Sequence, residues 1–258
     1  MKVAVCFSGQ LRTCLKALEN QQLFFGDMDI DFFVHTWTTN TNRRYALSDV
    51  DEEVVPTAII SRYVELLKPK VFIAENARAL NMHGSMNAPI ALYYSWMKSV
   101  EFRRQYETSN NVKYDAVVKM RPDIIFPRYK LLSTIVEQAM NENAFIMENG
   151  EWRPPEAMVM DDVFWAAPAQ IMDTATQYFW SLKDHLKNPN LGLGKFLMER
   201  GINIGVATVG MYAILRPETQ HLDPIADFEK CFELEHKIYT PPASPEQRGS
   251  PRYYGRDS

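Results

Sequence analysis

Short apolar runs alternate with segments of helical periodicity along the first half of the chain. Strands are predicted at residues 3–7, 30–34, 71–74 and 116–118, and helices at 11–25, 56–67 and 88–106. Apolar residues that recur every three or four positions favour a helix, whereas short apolar runs bounded by polar residues favour a buried strand. Four strands that alternate with helices predict an α/β fold with a doubly wound, mostly parallel sheet flanked by helices.

The pattern is less regular in the second half of the chain. Helices are predicted near 131–140, 168–185 and 195–200, and strands at 144–147, 202–206 and 212–215, with polar stretches at 38–44 and 148–156. We expect a single domain over residues 1–240 that divides into two halves near residue 126. The last 18 residues, 241–258, include four prolines and are expected to form a flexible tail.

The fourth predicted strand ends in the charged sequence Arg121-Pro122-Asp123, and a second apolar run follows. Charged side chains at the end of a buried strand are costly unless they meet water, a ligand or each other. Proline also removes a backbone donor, so the strand cannot continue through the centre of a sheet. Because alternate residues of an extended chain share a face, Arg121 and Asp123 would point the same way. The pattern predicts a polar crevice at the strand end, or alternatively an internal Arg–Asp ion pair.

A second candidate segment, Ser8-Gly9-Gln10-Leu11-Arg12, lies between the first predicted strand and the first predicted helix. Glycine lets the backbone approach a ligand closely, and the amino end of a helix favours anionic groups. The guanidinium of Arg12 could add a forked contact to a phosphate. Since only one glycine is present, a tight turn with a solvated arginine is an equal alternative.

Two further groups of side chains could carry chemistry. Trp37 offers an aromatic face for stacking a base or a sugar, and His35 offers a polar contact, although a core histidine is the simpler interpretation. Asp161 and Asp162 cannot both face one way on an extended chain, so one could enter a pocket while the other caps a turn. A carboxylate in a pocket could act as a general base; two plain turn acids are the alternative.

Composition narrows the class of function. The formal net charge of −4 argues against nucleic acid as the main partner. Three cysteines, Cys6, Cys14 and Cys231, lie too far apart for a metal motif and suit a reducing compartment. No apolar run approaches the ~18 residues of a transmembrane segment, and no signal peptide is present, so we expect a cytoplasmic protein. Zinc, Walker and Ser-His-Asp motifs are missing as well.

Four segments of the chain resemble a group of small glycosyltransferase-like proteins from bacteria and viruses. These segments are residues 5–12, 31–37, 114–126 and 161–165, within about the first two thirds of the chain. The resemblance implies a GT-A-like fold, in which a nucleoside-diphosphate sugar lies across the carboxyl ends of the parallel strands. Residues 1–126 would then form the nucleotide-binding half and residues 127–240 the acceptor-side half.

The resemblance also implies a role for each candidate residue. Asp161 or Asp162 would be the catalytic base. The nucleotide-sugar site would comprise Ser8, Gly9, Gln10, Arg12, His35, Trp37, Arg121 and Asp123. GT-A enzymes usually hold manganese or magnesium (Mn²⁺ or Mg²⁺) with an Asp-x-Asp sequence, but here Arg121 stands in place of the first acid. Asp123 is therefore the metal candidate, and the guanidinium of Arg121 could replace part of what a cation does.

The expected function is transfer of a sugar from a nucleoside-diphosphate donor to a saccharide or another hydroxyl acceptor. Two alternatives stay open. A dehydrogenase or a sulfotransferase is disfavoured because the first turn lacks the glycines of G-x-G-x-x-G. A non-catalytic nucleotide- or carbohydrate-binding protein on the same fold is supported by the missing first acid of Asp-x-Asp.

Overall fold

The computed structural model describes residues 1–42, 51–81, 88–148, 150–153, 157–160, 162–185, 189–207, 212–215, 219 and 221–239. The helices are α1 Cys14–Phe25, α2 Thr57–Leu67, α3 Ala88–Asn110, α4 Leu132–Glu142, α5 Ala169–Thr176, α6 Tyr178–Ser181, α7 Pro189–Met198 and α8 Phe228–Tyr239, with a 3₁₀ turn at Leu182–His185. The strands are β1 Val3–Gly9, β2 Ile30–Trp37, β3 Thr39–Asn42, β4 Asp51–Val54, β5 Val71–Glu75, β6 Ala116–Met120, β7 Ile124–Ile125, β8 Ala144–Met147, β9 Gly150–Arg153, β10 Ala157–Met160, β11 Phe164–Pro168, β12 Asn203–Val206 and β13 Ala213–Ile214. The expected tail at 241–258 lies outside the described residues.

Seven strands form the central sheet in the order β12-β8-β11-β6-β1-β2-β5. Every neighbouring pair is parallel except those made by β11, which is antiparallel to both β6 and β8. The predicted α/β class with a mostly parallel sheet is therefore confirmed. The chain builds outward from β1 through β2 to β5 and then returns to the other side of β1 as β6. The strand order thus reverses between β1 and β6, the point at which open α/β sheets bind ligands.

Helices cover both faces of the sheet. Alternate residues of β1 point to opposite sides, so that Val5 packs in one apolar cluster and Cys6 in the other. The first cluster includes side chains of α1, α2 and α4, and the second includes side chains of α3, α5 and α7. Burial on both faces explains why the parallel strands are continuous apolar runs in the sequence. Among the described helices, none has the length and apolar character needed to cross a bilayer.

Three small antiparallel pairs lie outside the main sheet; of their strands, only β13 falls on a strand predicted above, at 212–215. Residues expected to form a polar loop at 38–44 contribute β3, which pairs with β4. The polar stretch at 148–156 contributes β9, which pairs with β10, and β7 pairs with β13 rather than extending β6. The β3–β4 hairpin is polar on both faces, so the alternation that reveals a buried strand is absent from its sequence. Helix α8 was not predicted.

A charged cluster closes the amino-terminal edge of the sheet. The carboxylate of Asp31 accepts a hydrogen bond from the Tyr114 hydroxyl at 2.7 Å and ion pairs with Lys2 at 3.1 Å and Lys70 at 3.3 Å. Burial alone would raise the pKa of Asp31, but these three donors outweigh it and lower that pKa below its usual value. The cluster therefore joins β1, β2 and the start of β5 through one ionised carboxylate.

We expect Asp31→Asn to lower the free energy of unfolding at pH 7 by about 1–3 kcal/mol, because charge-assisted hydrogen bonds are lost. The folded-state pKa of Asp31 is depressed, so the contribution is complete above the unfolded pKa of about 3.9 and disappears as pH falls through the folded pKa. Urea unfolding at pH 7 and at a pH below the folded pKa of Asp31 measures the difference. The exposed Asp29→Asn is the control, and an equal loss at both pH values would contradict an electrostatic origin.

Candidate functional site

The carboxyl ends of β1 and β6 lie side by side where the strand order reverses. Gly9 ends β1 with φ of +128°, a backbone conformation that other residues rarely adopt. A Cβ on Gly9 would lie 3.7 Å from Pro122 Cδ and 3.8 Å from Arg121 Cγ, so the turn packs directly against the Arg-Pro-Asp segment. The two motifs that the sequence separates by more than 100 residues therefore form one site.

Two arginines surround one buried carboxylate at this site. Asp123 is 1% exposed, and Arg121 donates to its two oxygens from Nε at 2.9 Å and from Nη2 at 2.7 Å. Arg12 Nη1 lies 3.6 Å from Asp123 Oδ2. The side chains of Arg12 and Arg121 are 12% and 18% exposed, so both reach the surface. Arg121 and Asp123 thus form the internal ion pair that the sequence pattern left open as the alternative to a crevice. Of the three side chains, only the two arginines reach solvent.

The geometry of Asp123 fits a metal poorly. Both carboxylate oxygens are bonded by the Arg121 fork, so a cation would have to displace a guanidinium group. Within the part of the chain that the structure describes, no group of three or more His, Cys, Asp or Glu side chains could hold a metal ion. These residues favour an anion over a metal, and no step below uses a cation.

Tyr63 of α2 is a residue of this region that the sequence did not reveal. Its ring is fully buried and packs edge-on against Phe7, with 6.3 Å between the ring centroids. The hydroxyl oxygen has no hydrogen-bond partner among the described residues. Burial raises the pKa of Tyr63 well above its usual value, with smaller effects from Cys14 and Asp123. The phenol is therefore neutral at pH 7, and leaving it unbonded costs about 1–3 kcal/mol.

The loop between β1 and α1 is held by backbone contacts from distant segments. The hydroxyl of Thr13 donates to the carbonyl of Leu215, and the N–H of Leu215 donates to the carbonyl of Asp123 at 2.7 Å. Ser8 is 3% exposed, and its Oγ has no partner among the described residues. Gln10 is half-buried. Leu215, the residue after β13, therefore connects the loop after β1 to the Arg-Pro-Asp segment.

The predicted binding roles of His35 and Trp37 do not fit their positions. His35 is fully buried, with Nδ1 2.9 Å from Ser95 Oγ and Nε2 2.7 Å from Glu75 Oε2. Burial lowers the pKa of His35, and the hydrogen bond to Glu75 opposes this change. Trp37 is 4% exposed and stacks on Tyr94 with 6.0 Å between centroids. Neither ring presents a free face to a base or a sugar.

The antiparallel direction of β11 brings its first residues to the same edge. Phe164 of β11 pairs with Met120 of β6, so the preceding Asp162 lies near the end of β6. Asp162 is half-buried, and its backbone carbonyl accepts a hydrogen bond from the ammonium of the buried Lys119. Asp161 lies outside the described residues. The expectation that one of these two acids is a catalytic base stays a prediction.

Comparison with known proteins does not assign this chain to a family. No protein-family model matches this chain. No curated protein is significantly similar to it. The resemblance to glycosyltransferase-like proteins thus stays an expectation, and a function has to be argued from the site itself.

Proposed function

We propose that the protein transfers a sugar from a nucleoside-diphosphate donor to a hydroxyl acceptor, and that Arg12 and Arg121 bind the donor diphosphate. The observation that carries the proposal is the pair of arginines on one buried carboxylate at the point where the strand order reverses. Ligands of open α/β sheets bind at this point, outside the carboxyl ends of the strands. The mostly parallel sheet is compatible with the GT-A-like fold that the resemblance implies.

The charge of the cluster favours an anionic ligand. Two guanidinium groups and one carboxylate leave one net positive charge, and both arginine side chains reach the surface while Asp123 does not. Guanidinium forks match the geometry of phosphate oxygens and form charge-assisted hydrogen bonds. Asp123 would act as a positioning residue, because its bidentate contact fixes the plane of the Arg121 guanidinium.

The proposed reaction breaks the bond between the anomeric carbon of the sugar and the diphosphate oxygen. The electron pair of that bond stays on the diphosphate, where the two arginines stabilise the developing charge. The acceptor oxygen forms the new bond to the anomeric carbon. Its proton passes to a base, for which Asp161 and Asp162 are the candidates, provided that one lies within hydrogen-bond reach of the acceptor.

A second candidate function is nucleotide binding without catalysis. One observation favours it: the only acid of the Arg-Pro-Asp segment is fully engaged by arginine, so this segment offers no free carboxylate. Incubation with UDP-glucose and GDP-mannose, with and without manganese, separates the two functions. A sugar transferase should release nucleoside diphosphate slowly when water accepts the sugar, and rapidly when a suitable acceptor is present. A binding protein should release none.

Arg121→Ala is expected to weaken binding of UDP or GDP by about 10- to 100-fold, since each hydrogen bond to a charged group contributes about 1.5–3 kcal/mol. Isothermal titration calorimetry of the wild type and the variant measures the change. Arg62→Ala is the matched control, because Arg62 is 54% exposed and pairs with Glu65 on the outer face of α2.

Two results would contradict the proposal. One is wild-type affinity in Arg121→Ala, and the other is a wild-type protein that binds neither UDP nor GDP. Binding of NAD or of a sulfonate donor in their place would favour the other enzyme classes. Circular dichroism of each variant confirms that a loss of affinity does not reflect a loss of structure.

A further inference from the structure

A second group of side chains near the same sheet edge has the chemistry of a sugar-binding surface. Three aromatic rings contact one another in series from Tyr94 of α3 to Phe179 and Trp180 of α6. The centroids of Tyr94 and Phe179 are 5.8 Å apart, and those of Phe179 and Trp180 are 5.1 Å apart. Tyr94 and Phe179 are half-buried, whereas Trp180 is 71% exposed. We call these three rings, together with Glu75, the aromatic strip.

A carboxylate stands at the inner end of the aromatic strip. Glu75, the last residue of β5, is hydrogen-bonded by His35 at 2.7 Å and by Tyr94. Burial alone would raise the pKa of Glu75, but these two hydrogen bonds outweigh it and lower that pKa below its usual value. The side chain is 29% exposed. An ionised carboxylate accepts about four hydrogen bonds, so Glu75 keeps capacity for hydroxyl groups of a ligand.

The aromatic strip lies beside the donor site proposed above. Glu75 is connected to Gly9 by three successive hydrogen bonds, through the imidazole of His35 and the hydroxyl of Ser95. The last of these runs from the N–H of Gly9 to Ser95 Oγ at 3.1 Å. The strip therefore begins close to the turn at the end of β1 and extends from there toward the surface of α6.

We propose that the exposed ring of Trp180 and the Glu75 carboxylate bind a saccharide, while Phe179 packs edge-on against Trp180 and Tyr94 holds the carboxylate. The apolar face of a pyranose ring packs on aromatic side chains, whereas its hydroxyl groups need fixed polar acceptors. A purely apolar partner would leave the Glu75 carboxylate without compensation for its lost water, which disfavours a hydrophobic peptide. The role of this saccharide as the acceptor of the transfer rests on the proposed function. Saccharide binding by the aromatic strip does not depend on that function.

The test uses the full chain, without nucleotide, and four probes: chitotetraose, cellotetraose, maltotetraose and mannotetraose. Calorimetry and tryptophan fluorescence are expected to detect at least one of them. Trp180→Ala should weaken that binding about tenfold or more, because a single aromatic anchor often dominates a binding surface. Trp180 is so exposed that its replacement should leave stability within about 0.5 kcal/mol. Tyr129→Ala, which removes another aromatic residue, 65% exposed, is the matched control.

Trp180→Phe should restore most of the affinity, since an aromatic face is kept. The proposal is overturned if no probe binds to the wild type, or if Trp180→Ala and Tyr129→Ala bind equally well. A shift of Trp180→Ala from dimer to monomer without any saccharide effect would instead assign the strip to an interface between copies and would also overturn it. Titration of Trp180→Ala with UDP and GDP keeps the two proposals apart, because nucleotide affinity should not change.

Discussion

Asp123→Asn is expected to lower the free energy of unfolding by about 3 kcal/mol, because it removes the charge that compensates two arginines. Asp123 is 1% exposed and is bonded through both oxygens. Asparagine has nearly the same shape but carries no charge, so Arg12 and Arg121 would face each other with only partial access to water. Urea unfolding at pH 7, followed by circular dichroism, measures the loss.

The loss should be partly reversible by an added anion. Inorganic phosphate can supply the missing negative charge from the solvent-facing side of the two arginines, so it should stabilise Asp123→Asn more than the wild type. The exposed Asp27→Asn is the control, and its stability should stay within about 0.5 kcal/mol of the wild type. An unfolding midpoint of Asp123→Asn equal to that of the wild type would show that the carboxylate does not hold the arginines.

Lys130→Met is expected to lower the free energy of unfolding by about 3–5 kcal/mol, the usual cost of removing one partner from a buried ion pair. The side chains of Lys130 and Glu148 form an ion pair and are 1% and 0% exposed. The ammonium of Lys130 also lies 5.4 Å from the ring centroid of Phe126. Without Lys130, the carboxylate of Glu148 either stays buried without its ammonium partner or takes up a proton. Denaturant unfolding at pH 7 checks the size of the loss.

The double variant Lys130→Met with Glu148→Leu tests whether the two side chains are energetically coupled. Apolar residues of similar volume often replace a buried ion pair at little cost, so the double variant should recover most of the lost stability. Strictly additive losses in the two single variants and the double variant would mean that the pair is not energetically coupled. A double variant as unstable as Lys130→Met would contradict the expected recovery of stability.

The central parallel strands β1 and β6 could be predicted because both of their faces are buried. The apolar run at 3–7 predicts β1, and the run at 30–34 predicts the start of β2, which continues through polar residues to Trp37 because it pairs with β1 and β5. Strand β11 was not predicted, and its antiparallel direction could not be, since an apolar run is the same in either orientation. The polar hairpin of β3 and β4 carries no apolar alternation and was missed.

The location of the site could be predicted from the sequence, but the contacts between its side chains could not. Charged residues around Pro122 and the lone Gly9 indicate two strand ends, and the sheet order brings them together. The sequence left open whether Arg121 and Asp123 face a crevice or each other, because both arrangements satisfy the same pattern. Tyr63 reads as an ordinary core residue of an amphipathic helix. Only the fold reveals that its hydroxyl is buried and has no hydrogen-bond partner among the residues that the structure describes.

The central position of β1 has a consequence for how the chain is made. Strand β1 leaves the ribosome before β2 and pairs with it on one side, but its other side waits for β6, which ends at residue 120. At ~5–20 residues per second, translation of the intervening segment takes on the order of 10 s. For that time a nascent chain carries an open, apolar strand edge, which is a known route to aggregation. Expression yield should therefore depend on chaperones and on growth temperature more than the stability of the finished protein would suggest.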